Sequence, residues 1–279
     1  MDPARRSIEQ QHIINALHVS SSFDAQAEIA RRTDFLCDYL MQTRLRSYVL
    51  GISGGVDSTA AGCLAQAAVR QARTRGYEAE FIAIRLPYGV QKDEHDAQNA
   101  LQAIGPDKVL TIDIKPASDA MLAAVKAGGQ TFGSHEQQDF IFGNIKARQR
   151  MIAQYAVAGA ARGLVIGTDQ AAEALMGFFT KFGDGACDIA PLTGLNKRRV
   201  RALAKEFGVP EALVHKVPTA DLEDLVPLKP DEAAFGISYE EVDDFLEGKP
   251  VSELAYEVIF RQYQATAHKR ALPLDASSI

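Results

Sequence analysis

Tyr48-Val49-Leu50-Gly51-Ile52 runs directly into Ser53-Gly54-Gly55-Val56-Asp57-Ser58, and residues 60–75 beyond it carry a helical apolar period. The order is apolar strand, glycine-rich turn, helix. Two adjacent glycines let the backbone take φ > 0 and come close to a ligand, so successive N–H groups converge on one point. The hydroxyls of Ser53, Ser58 and Thr59 add donors, and the helix N-terminus directs its dipole to the same place. The loop reads as a pyrophosphate cradle. Asp57 needs a further reason, because a carboxylate repels phosphate unless a hard cation sits between them, and Mg²⁺ takes one or two carboxylates plus phosphate oxygens. An Asp57→Asn change removes that charge at constant size, which predicts lost pyrophosphate chemistry with nearly normal folding.

The loop is not the common P-loop, which needs G-x-x-x-x-G-K-[ST]; Val56 follows Gly55 and no lysine comes after it. Nor is it the dinucleotide fingerprint G-x-G-x-x-G, since Gly51, Gly54 and Gly55 have the wrong spacing. S-G-G-x-D-S between a strand and a helix resembles the signature of the ATP pyrophosphatases, which cleave ATP between the α- and β-phosphates. The resemblance implies adenylation, with AMP and pyrophosphate as products.

Strand-like runs at 48–52, 80–86, 108–114 and 164–168 alternate with helical segments at 60–75, 94–104, 117–127 and 136–161. Such alternation predicts an α/β fold, a doubly wound parallel sheet with helices on both faces. Ile29, Thr33, Leu36 and Leu40 recur at helical spacing after Asp24, a good N-cap, so a helical N-terminal piece is expected to cover the sheet. After Asn196 the chain reads mostly helical, ending with 251–270, and residues 1–279 show no repeat or linker that would divide them. Ligands of open α/β sheets bind beyond the carboxyl ends of the strands, so loops 53–58, 87–89 and 167–169 are expected to face one another.

Composition narrows the class. With 47% hydrophobic residues the chain is an ordinary globular one, and 30 basic against 36 acidic residues argue against a coat for nucleic acid. No apolar stretch approaches a membrane span and the N-terminus has no signal-peptide core, so no membrane partner and a cytoplasmic location are expected. Cys37, Cys63 and Cys187 are odd in number and widely spaced, which suggests neither a disulfide framework nor a zinc site. His135-Glu136-Gln137-Gln138-Asp139 looks like a zinc-protease motif, but Asp139 stands where the second histidine must be. Asp93-Glu94-His95-Asp96 reads as the solvated opening of a helix rather than a metal cluster.

A second cluster follows the fourth strand. Gly167-Thr168-Asp169 leads into Gln170-Ala171-Ala172-Glu173, which is expected to put Asp169 and Glu173 one turn apart on one helix face, with Glu173 turned to the same metal as Asp57. The glycine-rich stretch 177–185 carries Lys181 and Asp184 and suits a substrate-contacting loop better than a core.

Residues 53–58, Arg85-Leu86-Pro87-Tyr88-Gly89, Gly143-Asn144-Ile145-Lys146-Ala147-Arg148, 167–173, 181–188, Pro218-Thr219-Ala220-Asp221-Leu222 and His268-Lys269-Arg270 together resemble the ammonia-dependent NAD synthetase family, in order and over nearly the whole chain. The resemblance implies the adenine nucleotide alpha-hydrolase-like fold. It implies that ATP adenylates the nicotinate carboxylate of deamido-NAD⁺ and that ammonia displaces AMP, giving NAD⁺. It assigns Gly51, Ile52, Ser53, Gly54, Gly55, Val56, Asp57 and Ser58 to ATP, with Arg85, Thr168, Lys197 and Thr219 completing that pocket. Asp57 and Glu173 are its Mg²⁺ ligands, and Arg148, Lys181, Asp188, His268 and Lys269 its contacts to deamido-NAD⁺. A homodimer formed partly through 136–161 is also implied.

Lys197 is the best lysine for the reacting phosphate, Asp184 is the choice for handling ammonia, and 215–230, rich in Pro and acidic residues, reads as a lid. Synthetase motifs fill the 279 residues, so no glutaminase domain is expected and ammonia is the direct donor. Alternatives are a tRNA-modifying or GMP-forming ligase of the same superfamily, and a nucleotide-binding sensor without turnover.

Overall fold

Alternation along β1 (Ser47–Gly51) sends Tyr48 and Leu50 to one face of the sheet and Val49 to the other, all of them buried. A strand buried on both faces belongs to the middle of a parallel sheet. In the computed structural model, which describes residues 3–89, 94–220, 222–226, 229–271, 273 and 276, that is where it lies. Asp93 and Asp221, quoted above, fall outside the described residues.

Two helices precede β1, α1 (Pro3–Ala16) and α2 (Ala25–Thr43), the second capped by the Asp24 carboxylate accepting from Ala27 N. Then come α3 (Val56–Thr74), β2 (Glu80–Arg85), α4 (Glu94–Ile104), β3 (Lys108–Thr111), α5 (Lys115–Ala127), α6 (His135–Ala160), β4 (Gly163–Val165) and α7 (Ala171–Met176). The rest is α8 (Lys197–Glu206), α9 (Glu211–Val214), the two-residue strands β5 (Thr219–Ala220) and β6 (Lys229–Pro230), α10 (Asp231–Phe235), α11 (Tyr239–Leu246), α12 (Glu253–Ala265) and α13 (Ala267–Arg270).

The four parallel strands stand in the order β3-β2-β1-β4. α2, α3, α4 and α8 cover one face and α6 the other, as expected of a doubly wound sheet. The order reverses between β1 and β4, so a crevice opens where the chain leaves their carboxyl ends in opposite directions. Loops 53–58 and 167–169 border that crevice.

Several boundaries differ from the sequence reading. β3 stops at Thr111, because this edge strand pairs only with β2 and β2 runs out at Arg85. β4 stops at Val165, and Ile166 makes a single parallel bridge to Ile189 instead. α3 starts at Val56 rather than at 60, which puts Asp57 and Ser58 in its first turn. The N-terminal piece divides: α2 covers the sheet, whereas Ile13 and Ile14 of α1, with Leu17 just after it, join a separate apolar cluster with α7, α10, α11 and α12.

Candidate active site

The loop after β1 is shaped by one glycine in particular. Gly54 has φ +83°, and a Cβ there would stand 2.7 Å from the backbone nitrogen of Ala97 in α4. Both the conformation and the space require glycine. No side chain caps α3, whose N-cap is Gly55, and Ser53 Oγ sits 3.1 Å from Ser58 Oγ across the turn. The unbonded first-turn N–H groups and two hydroxyls therefore border the cavity beyond the strands.

Lys197 enters the cavity from the opposite side. It opens α8, whose N-terminus is fixed by the Asn196 side chain accepting from Arg199 N at 2.9 Å and by Asp243 accepting from Lys197 N and Arg198 N. Its side chain is 1% exposed and its ammonium donates to Asp57 Oδ2 at 2.6 Å, with Glu173 Oε1 at 3.7 Å. Burial works against this charge, but Asp57 and Glu173 outweigh it and hold the ammonium above its ordinary pKa. Burial, then repulsion from Asp57, pushes Glu173 well up. Asp57 Oδ1 is buried and has no hydrogen-bond partner among the described residues.

The cavity holds about 430 Å³. Gly51, Ile52, Ser53, Gly55, Val56, Asp57, Ser58, Thr168, Glu173, Asp184, Lys197, Thr219 and Lys269 all line it. Asp184 stands at its open surface and accepts from Thr180 N at 2.9 Å; its carboxyl is pushed up because the surrounding protein depletes the water near it. Asp169 is pushed up to about 8 by burial first, then by Asp184 and Asp57. Carboxyls that resist ionisation, Glu173 beside Lys197 and Asp169 and Asp184 nearer Lys269, make a site prepared for cationic partners.

Around residues 177–184 the basic side chains form a relay of contacts to carbonyls. Arg148 donates to Lys181 O, Lys181 Nζ to His268 O at 2.6 Å, and Lys269 Nζ to Gly177 O and Phe179 O at 2.8 Å each. Arg148, Lys181 and His268 are thus gathered beside the cavity without lining it.

A family model described as NAD synthase matches residues 28–273. The chain belongs to that family. It is 63% identical over 273 residues to a Burkholderia lata protein named NH(3)-dependent NAD(+) synthetase, covering 98% of this chain and 97% of that protein. The crystal structure of NAD⁺ synthetase from Burkholderia pseudomallei is 58% identical, with a TM-score of 0.84 over 96% of this chain and 98% of that one. NMN synthetase from Francisella tularensis is also similar: 36% identical, TM-score 0.79, covering 91% of this chain and 99% of that one.

Some members of the family pattern lie elsewhere than the sequence suggests. Arg85 does not line the cavity: it is 2% exposed and its guanidinium donates to both Glu94 oxygens, at 2.6 and 2.7 Å. Glu94 is consequently not a purely solvated residue, and Asp96 likewise pairs with Lys216 at 2.7 Å. Asp188 accepts from Val165 N at 2.7 Å and faces a different cleft, shared with Arg31, Arg32, Phe35 and Tyr39. Asp169 is not on the helix with Glu173, because the Gln170 side chain caps α7 by accepting from Ala172 N.

The sequence reading also missed lining residues. Asn144, Ala147, Arg150 and Gln154 of α6 face the cavity, and Gln154 Oε1 accepts from Gly51 N at 2.7 Å. Their spacing of three and four residues is the signal that marks one helix face. Asp231, 6% exposed and bonded by the Tyr239 hydroxyl, lines it too; no local pattern announced it.

Proposed function

We propose that this chain activates the nicotinate carboxylate of deamido-NAD⁺ with ATP and then amidates it with ammonia, yielding NAD⁺, AMP and pyrophosphate, the last step of NAD⁺ biosynthesis. The observation that carries the reading is the meeting of Lys197, Asp57 and Glu173 beside an uncapped glycine loop at the crevice of the sheet. Identities of 58–63% to proteins named NAD⁺ synthetases support the substrate.

A carboxylate is a poor acyl donor, because its leaving group would be oxide, so its oxygen is first made a phosphate ester. The N–H groups at the start of α3, with Ser53 and Ser58, hold the departing pyrophosphate. Lys197, whose ammonium lines the same cavity beside Asp57, is the cation placed to meet the reacting phosphate. Asp57 and Glu173 would hold Mg²⁺, which would supply positive charge against the growing negative charge of the phosphates. The buried, unpartnered Asp57 Oδ1 fits that role.

Arg148, Lys181, His268 and Lys269 bind the dinucleotide, with Asp188 contributing from its separate cleft; Arg85 supports the nucleotide pocket from behind through α4. Asp184 binds ammonium or takes its proton. The segment based on the β5–β6 ribbon covers the adenylate. Phe140 and Ile152, 59% and 51% exposed on α6, suit burial in a homodimer. Three free thiols agree with a cytoplasmic setting, and no helix among the described residues is long and apolar enough to cross a membrane.

The test is exchange of labelled pyrophosphate into ATP without ammonia. Exchange dependent on deamido-NAD⁺ is expected; exchange with ATP alone would overturn the reading. The relative named NMN synthetase supplies a second reading, in which the acid is the corresponding mononucleotide. Running both acids side by side decides between them. With subsaturating total ammonium the overall rate should rise with pH, because only unprotonated ammonia is nucleophilic.

A further inference from the structure

Asp139, Gly143 and Lys146 follow one another along a single stripe of α6, and residues 222–225 are laid against that stripe. Asp224 N and Leu225 N donate to the two oxygens of Asp139, at 2.9 and 2.8 Å. Lys146 Nζ donates to Leu222 O at 3.0 Å and to Asp224 Oδ1 at 2.6 Å. Between these anchors the backbone comes so close that a Cβ on Gly143 would meet Leu222 Cβ at 3.1 Å and its carbonyl oxygen at 3.2 Å.

The same ammonium reaches a second segment, the bend that follows the cavity-lining Leu86. It lies 4.2 Å from the ring centroid of Tyr88, in the bend after β2, and 4.7 Å from that of Phe142. Tyr88 is itself fixed, donating its hydroxyl to Asp119 at 2.6 Å and accepting from Lys115. One lysine therefore ties the bend after β2 and the segment before β6 to the same turn of α6.

The pair is asymmetric. The Lys146 side chain is 2% exposed, whereas that of Asp224 is 58% exposed. Lysine and helix form a preset socket, and the carboxylate is the member that faces water, so its departure would leave a buried ammonium without its counterion. Neither Lys146 nor Asp139 lines the cavity, but Leu222, Glu223 and Val226 do. Any effect of the socket on chemistry must pass through the segment it holds.

We propose that Lys146 and Asp139 are positioning residues: a clasp, braced by the Tyr88 ring, that seats residues 222–225 over the cavity, so that the acyl adenylate meets ammonia and not water. This rests on the function proposed above. With the clasp released, water attacks the acyl carbon, the bond from that carbon to the adenylate oxygen breaks, and AMP leaves. The acid is regenerated and protons go to solvent, so one ATP and one water are spent as AMP and pyrophosphate with no amide made.

The experiment measures pyrophosphate released per NAD⁺ formed at subsaturating ammonia in the full chain and in Lys146→Met, Lys146→Arg, Asp224→Asn and the Lys146→Met/Asp224→Asn double variant. Amide hydrogen exchange is followed over 222–226. Lys146→Met and Asp224→Asn should each raise the ratio at least about three-fold and lose protection there, with the double variant no worse than the worse single. Lys146→Arg should restore most of the coupling, since it keeps a buried donor cation. Should Lys146→Met fail to fold, Asp224→Asn, altered at an exposed side chain, carries the test. An unchanged ratio with unchanged protection in Asp224→Asn overturns the clasp. If the wild-type chain shows no acid-dependent pyrophosphate exchange, the functional reading falls instead. The clasp is then judged by hydrogen exchange alone, where retained protection overturns it and lost protection supports it.

Discussion

On one side of the cavity, residues 51–58 keep their shape through backbone geometry: Gly54 at φ +83°, Ile52 N bonded to Ile84 O at 2.9 Å, Thr59 N to Gly55 O at 3.1 Å. On the other side, residues 177–184 and 222–225 are held by side chains: Lys146 and Arg148 of α6 and Lys269 of α13 donate to their carbonyls, Asp139 accepts from two of their N–H groups, and Lys181 donates to His268 O. The first wall is continuous with β1 and α3, so it can move only if the sheet does. The second rests on a few charge-assisted bonds of about 1.5–3 kcal/mol each, which ligand binding can trade for others. A site that must hold a reacting phosphate still and yet admit a dinucleotide and exclude water benefits from one wall of each kind.

The hardest blow to the rigid wall is Asp57→Asn. Pyrophosphate release should fall about 10³-fold, the scale for removing charge from a prepared site. The structure revises the expectation of nearly normal folding: Asp57 lies 2.6 Å from Lys197 Nζ, which is 1% exposed, and Glu173 at 3.7 Å is a poorer substitute. Unfolding in urea should show a loss of about 3 kcal/mol, the lower end for breaking a buried pair. Pyrophosphate release within ten-fold of wild type would remove Asp57 from the mechanism.

Gly54→Ala attacks the same wall through shape alone. A Cβ 2.7 Å from Ala97 N at φ +83° should cost about 2–3 kcal/mol and, by shifting the loop, about 10²-fold in adenylation. Gly76→Ala is the control: φ is +79° but nothing lies within 4 Å, so it should cost about 1 kcal/mol and leave turnover alone. Equal effects on turnover would mean that the approach of α4 to the loop is irrelevant.

On the adjustable wall, Lys269→Met removes the donor to Gly177 O and Phe179 O. The KM for deamido-NAD⁺ should rise about ten-fold with kcat for adenylation changed much less, the pattern of lost binding rather than lost chemistry. A fall in kcat at unchanged KM would place Lys269 at the reacting atoms.

The smallest effect concerns the support behind the loop. Arg85 and then Gln98 donate to Glu94 and lower its carboxyl from 4.5 to about 2. A depressed carboxylate stabilises the fold above its unfolded pKa, and that contribution fades as pH falls from about 4.5 through 2. The stability difference between wild type and Glu94→Gln should therefore be constant at neutral pH and shrink below about pH 5. Because the Glu94 side chain is 53% exposed, solvent screening keeps the difference small. A difference that grows in acid would show that the pair opposes folding.

Sequence by itself settled what depends on neighbours in the chain. The alternating strands and helices, the Asp24 cap, the glycine turn and the oddity of a carboxylate within it are all contained in short stretches, where backbone sterics and periodicity act directly. Tertiary structure decided which distant groups share a cavity. Lys197 looks like any helix-opening lysine until the crevice brings it to Asp57, 140 positions earlier in the chain. Arg85 was diverted to Glu94, because a buried ion takes the partner that packing brings nearest, and the exposed Asp188 accepts from the Val165 amide beside it. The reach of Lys146, Lys181 and Lys269 to backbone carbonyls left no trace in the residues themselves. Every residue offers the same carbonyl, so only the folded path of the chain selects which one a lysine meets.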